Sequence, residues 1–165
     1  IANLTIVSDD GQAILLREGT GAKIHNTIVK GFNDACFMID KELTFTNSFA
    51  NDKLNGDLVV TNTTFDCKTL VKGPKNTKDG ATLYEPVFET EKFLKELNIN
   101  NIFADPQLVD PFNEATPNML VNAGAGSLGK FDTPVDGNNF KFDNAGFAGA
   151  MNDKEDWTKG WTTAE

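Results

Sequence analysis

A repeat of about 22 residues constrains this chain more than any other feature. Shifted by 22, Thr5-Ile6-Val7 falls on Thr27-Ile28-Val29, Ala13 falls on Ala35, and Ile14-Leu15-Leu16 lies over Cys36-Phe37-Met38. A third, less exact copy begins at Asn62-Thr63-Thr64-Phe65. Two or three short strands per repeat of this length is the signature of a β-solenoid, in which no single coil buries its own apolar face and like residues stack on like. A shift of 23 also has support, because it sets Asn3 on Asn26 and Arg17 on Asp40. One residue of slip exchanges the two faces of a strand. A shift of 22 before one turn and 23 after it reconciles the two, and pairs Arg17 with Asp40 as a ladder ion pair across adjacent rungs.

The expected fold is therefore all-β: parallel solenoid coils with one short helix and a long irregular C-terminal segment. Residues 1–72 carry the coils. Their short β-branched or apolar runs (Ala2–Val7, Ala13–Arg17, Lys23–Val29, Ala35–Asp40, Asp57–Cys67) are separated by Gly, Asn and Asp clusters. Residues 41–56 read as a polar excursion. Residues 73–130 read as a loop-rich stretch with one helix at about 89–97, whose stripe of Phe88, Phe93, Leu94 and Leu97 packs on the coils. Within it, Asn100–Gly129 should lie flat on the coils, anchored by Phe103, Leu108, Val109 and Leu120. Residues 131–165 would supply terminal strands and a cap closed by Trp157 and Trp161, all within one structural domain.

The net charge of −9 repels a phosphate backbone, which argues against nucleic acid as a partner. The apolar runs, such as Ala13–Leu16, are far too short to span a bilayer. Ile1 opens on a strand pattern without an initiator Met, so the chain reads as part of a longer protein. An uncapped first coil would then be covered around Ile1–Ile6 by lost rungs or by self-association with another copy.

Cys36 and Cys67 are the only cysteines. They are either two buried thiols or one structural disulfide, the second favoured by their placement in neighbouring strand segments. The one His and the absence of any CxxC pair fit no zinc site. Asp132, Asp136, Asn138 and Asp143, grouped around Gly137, are weak calcium candidates, and Asp105, Asp110 and Asn113 form a second oxygen-rich loop. Neither has EF-hand spacing, so no cofactor is expected and Ca²⁺ is left open.

Catalytic residues are not identifiable. Asp9, Asp10 and Asp34 sit in turns, where Asp caps its own backbone. Arg17 and His25, each the sole residue of its type, read as a ladder charge and a satisfied strand residue ahead of anion clamp and general base. No GxSxG and no reactive cysteine context supply a nucleophile.

Three places resemble the right-handed parallel β-helix repeat proteins of bacterial surfaces and secretions. Leu15-Leu16-Arg17-Glu18-Gly19-Thr20 running into His25–Phe32 looks like the family's strand, turn and next-rung strand. Phe103-Ala104-Asp105-Pro106-Gln107-Leu108-Val109-Asp110-Pro111, continuing to Ala123–Ser127, is similar to a "DPxFVDP … AGSPA" segment that follows the last coils, with Leu108 in place of the aromatic and no Pro after Ser127. Phe147–Met151 through Asp156-Trp157-Thr158-Lys159-Gly160-Trp161-Thr162 resembles the "GAF … DWTxGWT" ending of large extracellular members. The resemblance implies a right-handed helix and a secreted or bacterial cell-surface location, and says little of chemistry.

The function expected is a non-catalytic extracellular module: a surface, scaffold or fibre-forming β-helix. Two alternatives stand beside it. One is a carbohydrate-active β-helix, a polysaccharide lyase or glycoside hydrolase, with its active face in missing N-terminal rungs. The other is a carbohydrate-binding module with a polysaccharide partner. The aromatics are 13 Phe against two Trp and one Tyr, and Phe suits cores where sugar platforms favour Trp and Tyr.

Overall fold

A computed structural model describes residues 1–50, 53–54, 58–73, 90–129 and 141–160. Its framework is a set of short strands paired in parallel. Strands β1 (Thr5–Val7), β4 (Ile28–Gly31) and β9 (Thr64–Cys67) form a three-stranded sheet in the order β1-β4-β9. Strands β2 (Gln12–Leu16) and β5 (Ala35–Ile39) form a parallel pair, as do β3 (Ala22–His25) and β8 (Leu58–Thr61). Two more pairs are antiparallel: β6 (Phe49–Ala50) with β7 (Lys53–Leu54), and β10 (Leu108–Asp110) with β11 (Asn118–Val121).

This overturns the expected all-β right-handed parallel β-helix. The described sheets hold two or three strands each, antiparallel pairs interrupt them, and helix α1 (Glu42–Ser48) occupies part of the expected polar excursion. The physical reason lies in the spacing. Partners in β1/β4 and β2/β5 are 23 residues apart (Thr5 to Ile28, Gln12 to Ala35), whereas those in β3/β8 and β4/β9 are 36 apart (Ala22 to Leu58, Ile28 to Thr64). Between β5 and β8 the described residues form α1 and the β6–β7 pair, and among the described residues β5 is followed on its far side by a single bridge from Phe37 to Val71. The register is also corrected. It is 23 throughout the first two levels, so Thr5 faces Ile28, not Thr27.

Asparagine makes the corners. Asn3, Asn26, Asn62 and Asn100 all take left-handed backbone angles, with φ of 53°, 51°, 52° and 60°. Asn tolerates this region better than other residues with a Cβ. Each corner N–H among the first three donates to the next level: Asn3 to the His25 carbonyl, Asn26 to that of Thr61, Asn62 to that of Ile99.

Alternation along β4 divides the interior in two. Val29 joins Phe37, Ile39, Leu58, Val60 and Phe65 in a first apolar cluster enclosed by the parallel strands. Its neighbour Ile28 points the other way, into a second cluster with Leu108, Val121, Ala125 and Ala148. The C-terminal segment thus covers the outer face of the β1-β4-β9 sheet. It is tied there by Asn3 Nδ2 donating to the Phe147 and Gly149 carbonyls and by Ala150 N–H donating to Thr5 Oγ1.

The helical segment expected at about 89–97 is described from residue 90. It becomes a π-helical turn over Phe93–Leu97 that buries Phe93 and Leu94 in the first cluster. Phe37 stacks near Phe93, with ring centroids 6.4 Å apart, and meets Phe65 edge-on at 6.2 Å. Of the four expected anchors after Asn100, Leu108 is buried and Leu120 half-buried, while Phe103 and Val109 are exposed. The anchor role passes to Val121 and Ala125, because the β10–β11 hairpin presents Val121 opposite Leu108. Gly146–Ala150, in the stretch expected to supply terminal strands, is a series of bends. Trp157 is half exposed with its Nε1 donating to the Ala150 carbonyl, and Trp161 lies outside the described residues.

Candidate functional site

Among the described residues, Lys30 is held by two carboxylates at once. The register of the three-stranded sheet sets Val7, Lys30 and Asp66 side by side on one rung. Lys30 Nζ lies 2.5 Å from Asp66 Oδ2 and 2.7 Å from Oδ1 of Asp105, which arrives from the loop before β10. The lysine side chain is only 14% exposed, and Asp105 Oδ1 also accepts the Gln107 N–H. Burial acts to lower the Lys30 pKa, but the hydrogen bonds to Asp105 and Asp66 outweigh it and the net shift is upward. The Lys30 ammonium, with help from the Gln107 N–H, holds the Asp105 carboxyl below its usual range. An ammonium pushed up and a carboxyl pushed down both move away from neutral pH, the opposite of what proton transfer needs. The cluster is a clasp that fastens the C-terminal segment to the sheet.

Arg17, at the end of β2, places Nη2 3.3 Å from Oδ2 of Asp40, at the end of β5, and Nε 3.9 Å from Glu18. Asp40 is buried and Arg17 half exposed, so the guanidinium lies over the carboxylate at the protein surface. Lys72 pairs with Asp34 in a further ion pair. Cys36 and Cys67 are bonded through their sulfurs with Cα atoms 5.6 Å apart, tying β5 to β9. His25 Nδ1 lies 2.8 Å from Thr61 Oγ1 in the neighbouring strand. Burial, then the Ile1 ammonium and Lys23, lower the His25 pKa.

Of the calcium candidates, Asp132, Asp136 and Asn138 lie outside the described residues, and Asp143 is exposed. In the second oxygen-rich loop, Asp105 is taken by Lys30, and Asp110 accepts a hydrogen bond from Asn113. Among the described residues no three His, Cys, Asp or Glu side chains are grouped to hold a metal ion. No described helix is long and apolar enough to cross a membrane.

Among the described residues, two open recesses lie at the surface. One, of about 170 Å³, is lined by Phe65, Asp66, Cys67, Leu70, Phe103 and Ala104. There Phe103 stacks on Phe65 with centroids 5.9 Å apart, and Lys95 Nζ sits 5.8 Å from the Phe103 ring. The other, of about 210 Å³, lies between the end of β1 and the loop joining β10 to β11. Both fall below the roughly 300 Å³ at which small-molecule pockets begin.

The sequence reading gives Lys30 and Asp66 no site role and places Asp105 in an oxygen-rich loop with Asp110 and Asn113. A signal was present. Aligning the corners Asn26 and Asn62 sets Lys30 on Asp66 at the same offset of four residues.

No protein-family model matches the chain, and no curated protein or solved structure shows significant similarity to it.

Proposed function

We propose that this chain is a non-catalytic structural module that works outside the cell, as part of a surface or scaffold assembly. The observation that carries the reading is the Cys36–Cys67 bond between β5 and β9. Disulfides of this kind persist in oxidising compartments and are reduced in most cytosols. Its position supports a mechanical role, since it ties two of the small parallel sheets together across the Phe37–Phe65 core. The polar groups with chemical potential support it too. Lys30 is held by two carboxylates, Arg17 covers Asp40, and His25 Nδ1 is engaged by Thr61.

Thiol labelling of protein taken directly from its host, with and without prior reduction, tests the compartment. The reading expects both cysteines to label only after reduction, in material recovered from the medium or the cell surface. Two free thiols in cytosolic material would overturn it. Release of shortened products from a panel of polysaccharides would overturn the non-catalytic part.

A further inference from the structure

We propose that copies of this chain bind one another head to tail, the corner at Asn100 of one copy docking on the corner at Asn3 of the next. This rests on the assembly reading above and deepens it, by making the partner a second copy.

The hydrogen bonds that join one level to the next follow a single pattern. At each corner the asparagine N–H donates to the carbonyl just before the next corner: Asn3 to His25, Asn26 to Thr61 and Asn62 to Ile99, at 3.1, 3.1 and 3.2 Å. The N–H two places past a corner donates back to the carbonyl just after the previous corner: Ile28 to Leu4, Thr64 to Thr27 and Ile102 to Thr63, at 2.8, 2.8 and 2.9 Å. The pattern is left open at both ends. Asn100 repeats the left-handed φ, at 60°, yet among the described residues its N–H and the Asn101 carbonyl meet no partner. At the other end, Ala2 pairs with His25 and Thr5 with Ile28 through the groups of the residues on either side of them. In parallel pairing this turns the Ala2 carbonyl and the Thr5 N–H toward the open side of β1. Each end therefore holds what the other needs. Asn100 N–H fits the Ala2 carbonyl of the next copy, and that copy's Thr5 N–H fits the Asn101 carbonyl. Both bonds reuse a geometry that the chain already makes three times.

The apolar side chains agree. Eight large ones are exposed among the described residues, and four of them lie at these two ends: Ile1 and Leu4 at 67% and 36%, Ile99 and Phe103 at 64% and 39%. Inner levels bury the equivalent positions. Thr27 and Thr63 stand where Leu4 does, Val29 and Phe65 where Phe103 does, and none of these exceeds 2% exposure. Phe103 already stacks on Phe65, so the column continues to the last level and stops with one face uncovered. Leu4–Val7 also carries none of the charges or prolines that keep an edge strand from pairing.

Sedimentation velocity of the chain over a concentration series, in low and in high salt, tests the contact. Mean mass should keep rising with concentration, because a head-to-tail contact propagates instead of closing at a dimer. The rise should be steeper in high salt, which screens the repulsion between copies of net charge −9. Leu4→Lys then blocks one end and Ile99→Lys the other, both at exposed positions. Each lowers the net negative charge, so weaker association cannot come from added repulsion. Each variant alone should self-associate about ten-fold more weakly or worse, since the contact buries an unpaired charge. Mixed, the two should form dimers, the intact Asn100 end of one meeting the intact Asn3 end of the other. A parent that stays monomeric or halts at a dimer would overturn the proposal. So would a variant that self-associates like the parent, or a mixture that stays monomeric. The parent's mass profile decides the matter even if a variant folds poorly. Mass is read independently of thiol state, so this contact and the extracellular reading fail separately.

Discussion

Asn26 and Asn62 turn the chain at equivalent corners of successive levels, with φ of 51° and 52°, and the N–H of Asn26 donates to the carbonyl of Thr61 beside the second corner. Both residues are buried. The left-handed conformation costs a residue with an ordinary side chain about 1–2 kcal/mol, and Asn less. Asn62→Ala should therefore lower stability by about 1–2 kcal/mol, while Asn62→Gly, which adopts the same angles freely, should cost distinctly less. Urea unfolding of the two variants side by side measures the difference. Equal losses would show that the side chain, not the backbone angle, holds the corner.

The Cys36–Cys67 bond closes a segment with a sequence separation of 31 residues. Loop-closure entropy gives such a cross-link about 3–4 kcal/mol. The paired variant Cys36→Ala/Cys67→Ala should lose a stability of that order, and reductant should lower the urea midpoint of the parent but not of the variant. Indifference of the parent to reductant would show that the native contacts between β5 and β9 suffice without it.

The strands of the first two levels were legible because short β-branched runs between Asn and Gly clusters have few other ways to bury themselves. What escaped was register and insertion. Matching Thr5 to Thr27 by identity set the shift at 22, while the corners Asn3 and Asn26, which carry a backbone constraint, give the 23 seen in the structure. Identity of side chains is a weaker guide than a required φ. Helix α1 was missed because its Leu-Thr-Phe-Thr core has strand-like composition. Its fit comes from tertiary contacts, with Thr44 Oγ1 accepting the Gly19 N–H and Asn47 Nδ2 donating to the Gly19 carbonyl. The Arg17–Asp40 proximity could be read from the 23-residue shift alone. The clasp could not, since Asp105 reaches Lys30 from 75 residues away.

Acid should unfold the chain in two stages. Folding lowers the His25 pKa below its ordinary 6.5, so the unfolded chain holds that proton more tightly. The stability this supplies is complete above pH 6.5 and drains as pH falls through the lower folded value. Asp105, held below 3.8 by Lys30, acts in the same sense but further into acid. Lys30, raised above 10.5, contributes fully below that value and loses its share only in strong alkali. Urea midpoints of the parent should therefore fall between pH 7 and 5, and those of His25→Gln should stay flatter over that interval. Parallel curves for the two proteins would remove His25 as the source.

Gly31 closes β4 at φ 100°, a region open to glycine and strained for residues with a Cβ. A Cβ built there meets the Ser8 carbonyl oxygen and the Phe112 ring. The carbonyl is backbone, fixed by the pairing of β1 with β4, and the Ser8 N–H already donates to the Lys30 carbonyl beside it. It cannot swing aside without opening that edge of the sheet. Gly31→Ala should therefore carry both the conformational strain and the collision, at more than about 2 kcal/mol. Gly124 provides the control, with φ 87° and nothing within 4 Å of a built Cβ. Gly124→Ala should show the strain alone, about 1–2 kcal/mol. Denaturant unfolding of the two variants separates the effects, and equal losses would mean that the close approach of β4, Ser8 and Phe112 contributes nothing to stability.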